Sequence, residues 1–182
     1  MTTRVAATVS LGMMVGLALL IFAYPLSALW WHLTLGDKVT FSQSRIFVPP
    51  RWTAHTAGNV LFIFRRPLTV FSRPSMRAMA TLAPNSHPPS TDIERETLYR
   101  NFAYIYRTKM VRKGTILGAP ILLGRNESEA YCMQLTPIDN PKLTDLACLI
   151  FGGRWRATFV GRTAELNDFY RIILQSSTDG SH

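Results

Sequence analysis

The sequence predicts an α+β domain held behind an amino-terminal transmembrane helix. Three observations carry that expectation: an uncharged run from Val5 to Leu35, short β-branched and aromatic runs punctuated by Gly and Pro, and two amphipathic helical patterns further on. Strands, a helix, more strands and a closing helix imply a mostly antiparallel sheet with packing helices. The 182 residues hold 20 Lys and Arg against 11 Asp and Glu, a net charge of +9, with 47% hydrophobic and 17% charged residues. That composition is too apolar for a disordered polycation, and the length is too short for a multidomain enzyme. Residues 1–35 therefore read as a membrane anchor or uncleaved signal, and residues 36–182 as one globular domain.

Val5 to Tyr24 supplies 20 mostly apolar positions, enough at about 1.5 Å per residue to cross a hydrocarbon core of roughly 30 Å. Pro25 follows, and Tyr24, Trp30 and Trp31 cluster where aromatic rings settle at the headgroup level. A cleavable signal peptide is the competing reading, with Arg4 as basic start and Ala28 as cleavage site. The run exceeds the usual signal core of about 7 to 15 residues, and Leu26 is bulky where that site needs a small residue. Arg4 on one flank and Lys38, Arg45 and Arg51 on the other lean against an amino end inside. A large domain crosses largely regardless of its charge, however, so the amino end is placed in the cytoplasm. Gly12 and Gly16 form a G-x-x-x-G that lets two helix backbones approach, a candidate homodimer contact beside the simpler reading of incidental small residues in lipid.

In the body, Val39 to Val48 reads as a first strand stopped by Pro49 and Pro50. Gly58 to Phe64 reads as a second, Leu68 to Phe71 as a third or an irregular piece, and residues 84–91 as a Pro- and Ser-rich loop. Thr91 then caps a helix, with Glu94 placed to reach back to its amide. Leu98, Phe102, Ile105 and Tyr106 form the apolar stripe of that helix, and Arg107, Lys109, Arg112 and Lys113 load its last turns before Gly114. Ile116 to Leu123, Ala130 to Leu135, Leu146 to Phe151 and Arg154 to Val160 read as strands, the last two joined by a two-residue Gly152–Gly153 turn. Thr163 caps a closing helix whose buried stripe is Leu166, Phe169, Tyr170, Ile173 and Leu174.

The opening strand followed by Pro49, Pro50, Arg51 and Trp52, and the ending from Gly161 through Phe169, Tyr170, Ile173 and Leu174, resemble the PsbP-like α/β/α sandwiches over about a third of the chain. Arg51 stands where that family commonly has the glycine of Pro-Gly-Trp. The resemblance implies a sandwich fold and a bias toward binding roles, with no catalytic residues to carry over.

Cys132 and Cys148 lie on neighbouring strands, where antiparallel pairing brings them within disulfide reach, and a bond there would close a loop worth about 3 kcal/mol in an oxidising compartment. Two buried free thiols are the plainer alternative. No C-x-x-C, H-x-x-x-H or G-x-S-x-G is present, so no metal, cofactor or catalytic residue is assigned. Asp92, Glu94 and Glu96 are explained as partners of a helix dipole, and Asn126 opens a glycosylation sequon. Seven cations, Lys38, Arg45, Arg51, Arg65, Arg66, Arg73 and Arg77, occur from Lys38 to Thr91 with no acid among them after Lys38. They are candidates for an anionic membrane surface, against an ordinary basic face; nucleic acid is not expected as a partner.

These readings make the chain a single-pass envelope protein, a binding or accessory subunit with membrane lipid and a membrane or envelope protein as partners. Two rivals stand beside it: a small membrane-tethered hydrolase around His55 and His87, and a cytoplasmic domain held on the inner leaflet by its arginines. Whether it is an enzyme is left open, leaning against.

Overall fold

The structure, a computed structural model, describes residues 2–65, 78–111, 114–124 and 129–178, with residues 2–11, Tyr24 and Thr178 in backbone only. Two helices come first, α1 at Thr2–Ile21 and α2 at Ala23–Leu35. α1 covers most of the helix expected from Val5 to Tyr24, and a second helix follows it at an angle to complete a bent arm: Gly12–Ile21 and Pro25–Leu35 meet at 72°. Pro25 has no N–H to offer the Ile21 carbonyl, so the ladder loses a rung at that point.

The expected first strand from Val39 to Val48 is a tight hairpin, β1 (Lys38–Phe41) and β2 (Ser44–Phe47), with Phe41 paired to Ser44. Ser42 and Gln43 both hold positive φ (45° and 61°), the geometry of a type I′ turn, which usually advertises itself by Asn or Gly. β3 (Trp52–Ala57) and β4 (Val60–Arg65) make a second hairpin over Gly58 and Asn59, with Gly58 at φ 57°. The Leu68–Phe71 piece lies outside the described residues. β5 (Met79–Pro84) follows, then α3 (Asp92–Ile105), continued by one π-helical turn at Tyr106–Met110.

Thr91 caps α3, accepting from the Glu94 amide at 3.2 Å, whereas the Glu94 carboxylate reaches past Thr91 to the Ser90 amide and hydroxyl at 2.7 and 2.8 Å. That charge-assisted bonding, led by the Ser90 N–H, lowers the Glu94 pKa. The strand expected from Ile116 to Leu123 is broken into β6 (Thr115–Leu117) and β7 (Ile121–Leu123), because Pro120 sits between them and cannot donate to the ladder.

β8 (Ala130–Pro137), β9 (Leu143–Ile150) and β10 (Trp155–Arg162) run on antiparallel. The β9–β10 turn is four residues long where two were expected, with Ile150 paired to Trp155 and positive φ at Phe151, Gly152 and Gly153. A Cβ on Gly153 would stand 2.8 Å from Leu98 Cδ2, so the turn needs glycine to pass under α3. α4 (Leu166–Gln175) and β11 (Ser177–Thr178) close the fold. Thr163 opens a 3-10 turn before α4 and does not cap it. Glu165 stands at the N-cap position of α4 without a side-chain cap bond to it; its carboxylate instead accepts from the Arg162 amide at 3.4 Å, at the start of the 3-10 turn.

Eight strands form one antiparallel sheet, ordered β3-β4-β5-β10-β9-β8-β6 with β7 also on β8; β1, β2 and β11 form a second, small sheet. Alternation sorts the large sheet into two faces. Leu61, Leu82, Ala157, Cys148 and Cys132 lie in one row across five strands, all at or below 1% exposure. That face meets the small sheet and α4 through Phe159 on Phe169, rings 5.2 Å apart. The opposite face carries Tyr131, on which α3 lays Tyr99 and Phe102 with ring centroids 4.9 and 6.3 Å away. Helices therefore cover both faces of an antiparallel sheet. On α4, Leu166, Phe169, Ile172 and Ile173 are buried and Leu174 is 43% exposed, so Ile172 takes the core position expected of Leu174.

Candidate functional site

Where the arm meets the body, the polar side chains are bound up one by one. α2 presents Ala28, Trp31 and His32, three and four residues apart, to the start of β3: Ala28 is buried and Trp31 packs on the core. His32 is the polar tie. Its Nε2 lies 3.1 Å from the Pro49 carbonyl and 3.0 Å from that of Trp52, and its Nδ1 lies 3.0 Å from Asp37. The Pro49–Trp52 segment is a tight turn closed by the Trp52 amide on the Pro49 carbonyl at 3.0 Å, with Arg51 at φ 69° in its third position. Trp52 is fully buried, and its indole N–H donates to Asp168 of α4 at 2.9 Å.

The proposed lipid-facing cations divide. Lys38 and Arg45 are exposed and Arg51 is half-buried, whereas Arg65 is turned onto the buried carboxylate of Glu165 and serves the interior. Arg66, Arg73 and Arg77 lie outside the described residues, as do Arg112, Lys113 and the sequon at Asn126. The arm carries no such polar cover. Counting only residues whose side chains are described, which in α1 begin at Gly12, no single helix is long and apolar enough to cross a membrane; Gly12–Ile21 and Pro25–Leu35 reach that length only as the bent pair. An added Cβ at Gly12 or Gly16 would meet nothing within 4 Å.

A second place is polar. The start of α3 and the β9–β10 turn enclose a cleft of about 430 Å³ lined by Ser90, Thr91, Asp92, Arg95, Glu129 and Arg154. Arg95 pairs with Asp92 at 2.9 Å. Beside Glu129 the Tyr99 hydroxyl is buried, and burial together with the nearby carboxylate pushes its pKa well up. The lining thus brings two guanidinium groups, one of them already paired with Asp92, and two carboxylates to one cleft.

Cys132 and Cys148 are directly opposed on β8 and β9 and joined, with an S–S distance of 2.03 Å. Of the two histidines named for catalysis, His55 is exposed on β3, and His87 Nδ1 has its neighbour Ser86 Oγ at 3.1 Å as its hydrogen-bond partner among the described residues, both exposed. Glu94, which lines the same groove as His87, is held by Ser90, and among the described residues no carboxylate bonds to that imidazole. Among the described residues no group of three His, Cys, Asp or Glu could hold a metal ion.

Sequence reasoning missed His32, hidden inside the apolar run, and the Arg65–Glu165 pair, whose members are 100 residues apart. No protein-family model and no curated protein matches the chain.

Proposed function

We propose that this is a single-pass envelope protein whose amino-terminal arm anchors it in the membrane and whose α+β body works outside as a binding or accessory subunit of a membrane assembly. One observation carries the reading. The large apolar side chains of the arm point outward, with Met13, Leu20, Trp30 and Leu33 all at least 65% exposed, and no formal charge lies between Val5 and Leu35. Each 100 Å² of such surface favours removal from water by about 2.5 kcal/mol, and a bilayer is the medium that removes it without a partner protein.

The Cys132–Cys148 bond supports an oxidising, extracytoplasmic compartment with the amino end in the cytoplasm. The charged cleft beside α3, and the lack of an oriented nucleophile and base among the described residues, favour binding over catalysis, in line with the PsbP-like resemblance. The test is thiol labelling in intact cells with a membrane-impermeant alkylating reagent, before and after reduction, with the protein's mass followed in parallel. Labelling only after reduction, on an uncleaved chain in the membrane fraction, is expected. Thiols that need permeabilisation but no reduction would move the body to the cytoplasm, and a soluble chain of reduced mass would make the arm a removed signal.

A further inference from the structure

We propose that α2 lies along the membrane surface as a wedge between body and bilayer, while α1 alone enters the lipid. The inference rests on the anchor reading above and adds the geometry and the partner surface: the headgroup layer of an anionic bilayer. α2 is two-faced in space although nearly all its side chains are apolar. Ala28, Trp31 and His32 are given to the body, and on the opposite side Leu26, Leu29, Trp30 and Leu33, spaced three and four residues apart, are 42, 56, 70 and 73% exposed.

A helix already committed to the body on one face cannot be lipid-surrounded like a spanning segment. Its 13 residues reach only about 20 Å, short of the roughly 30 Å of hydrocarbon. The bend completes the argument. If α1 enters with the usual tilt of about 20°, a 72° turn leaves α2 within about 40° of the membrane plane.

The exposed stripe ends where the charge begins, at Gly36, Asp37 and Lys38, with Arg51 in the turn that His32 holds. Exposed Lys38 follows the Trp30-containing stripe three residues beyond the end of α2, and half-buried Arg51 lies in the turn on the body side of that helix. Cations next to an apolar, tryptophan-bearing helix match anionic headgroups over the acyl boundary.

The test uses the full chain in vesicles of phosphatidylcholine and phosphatidylglycerol. Single cysteines are placed at Leu26, Leu29, Trp30 and Leu33, with Met14 and Leu17 as references, and carry nitroxide labels read for depth by oxygen and an aqueous nickel reagent. The native pair is disulfide-bonded and buried, so it does not take label. The four α2 sites are expected at one shallow depth, about 5 to 10 Å below the headgroups, with Met14 and Leu17 deeper. A depth that changes by about 10 Å from Leu26 to Leu33 would mean that α2 continues the crossing, and would overturn the proposal.

Four water-exposed α2 sites with lipid-buried Met14 and Leu17 would also overturn it while leaving the anchor intact; water at Met14 and Leu17 too would sink the anchor reading itself. Sites shielded from both reagents, with concentration-dependent dimers, would give the stripe to a second copy instead. A second measurement needs no label: brominated lipid should quench tryptophan fluorescence, and Trp30→Phe should lose most of that quenching, since Trp52 and Trp155 are buried and Trp31 is half-buried against the body. Unchanged quenching in that variant would count against the wedge.

Discussion

The arm and the body obey opposite rules about where apolar side chains go. In the body Trp52, Phe159, Phe169 and Ile172 are shut away completely, whereas in the arm Met13, Leu20, Trp30 and Leu33 face outward. The contrast teaches that one chain holds two opposite burial patterns, and that the change from one to the other falls within a few residues, between the docked His32 and the exposed Lys38.

The largest test sets the two regions against each other. Phe169→Ala should cost about 3 to 5 kcal/mol in denaturant unfolding, as a cavity in a packed core does, while Leu33→Ala in detergent should stay within about 0.5 kcal/mol. Equal losses would erase the distinction. Replacing both Cys132 and Cys148 by Ala should then remove about 3 kcal/mol from the body and leave the membrane fraction of the protein unchanged. Arg65→Ala should cost at least about 2 kcal/mol by stranding the Glu165 carboxylate, and Lys38→Ala almost nothing; the reverse order would return Arg65 to the membrane face.

At the junction, Arg51→Gly should raise the melting temperature slightly, by about 0.5 to 1 kcal/mol in stability, because position 51 holds a φ of 69° that glycine adopts freely. The smallest effect is a pH effect. Glu94 has its pKa lowered in the fold by Ser90, so its contribution is present above the unfolded carboxylate pKa and fades as pH falls through the folded one. Glu94→Gln should flatten the acid limb of the stability curve, lowering stability by a small constant amount at neutral and alkaline pH and converging with the parent chain in acid.

Both body helices were legible, because Thr91 and the spacing of Leu166, Phe169 and Ile173 are local signals. So were the β8, β9 and β10 strands and the pairing of Cys132 with Cys148. Two kinds of feature were not. Turns without their usual residues hid the β1–β2 hairpin, since Ser42 and Gln43 carry no glycine; β5 has one Thr among Met, Ala, Leu and Pro, and β3 interrupts Trp52 and its threonines with Ala and His, so neither makes a run of β-formers. At α4 the stripe was misread by one position, Leu174 for Ile172, because adjacent apolar residues leave the helix face undetermined until the sheet is in place. The sites fared worse than the fold. His32 acquires its role from carbonyls 17 and 20 residues away, and the α3 cleft from Glu129 and Arg154 on strand ends, none of which periodicity reports.

The bonds from His32 to the Trp52 carbonyl, and from the Trp52 indole to Asp168, form an unbroken line from the arm through the first long strand to the last helix. In mechanical terms this is a load path. A pull on the arm reaches α4 through three side chains and meets the large sheet where β3 begins, so the body is held to the arm as a plate bolted at one corner and not as a weight on a string.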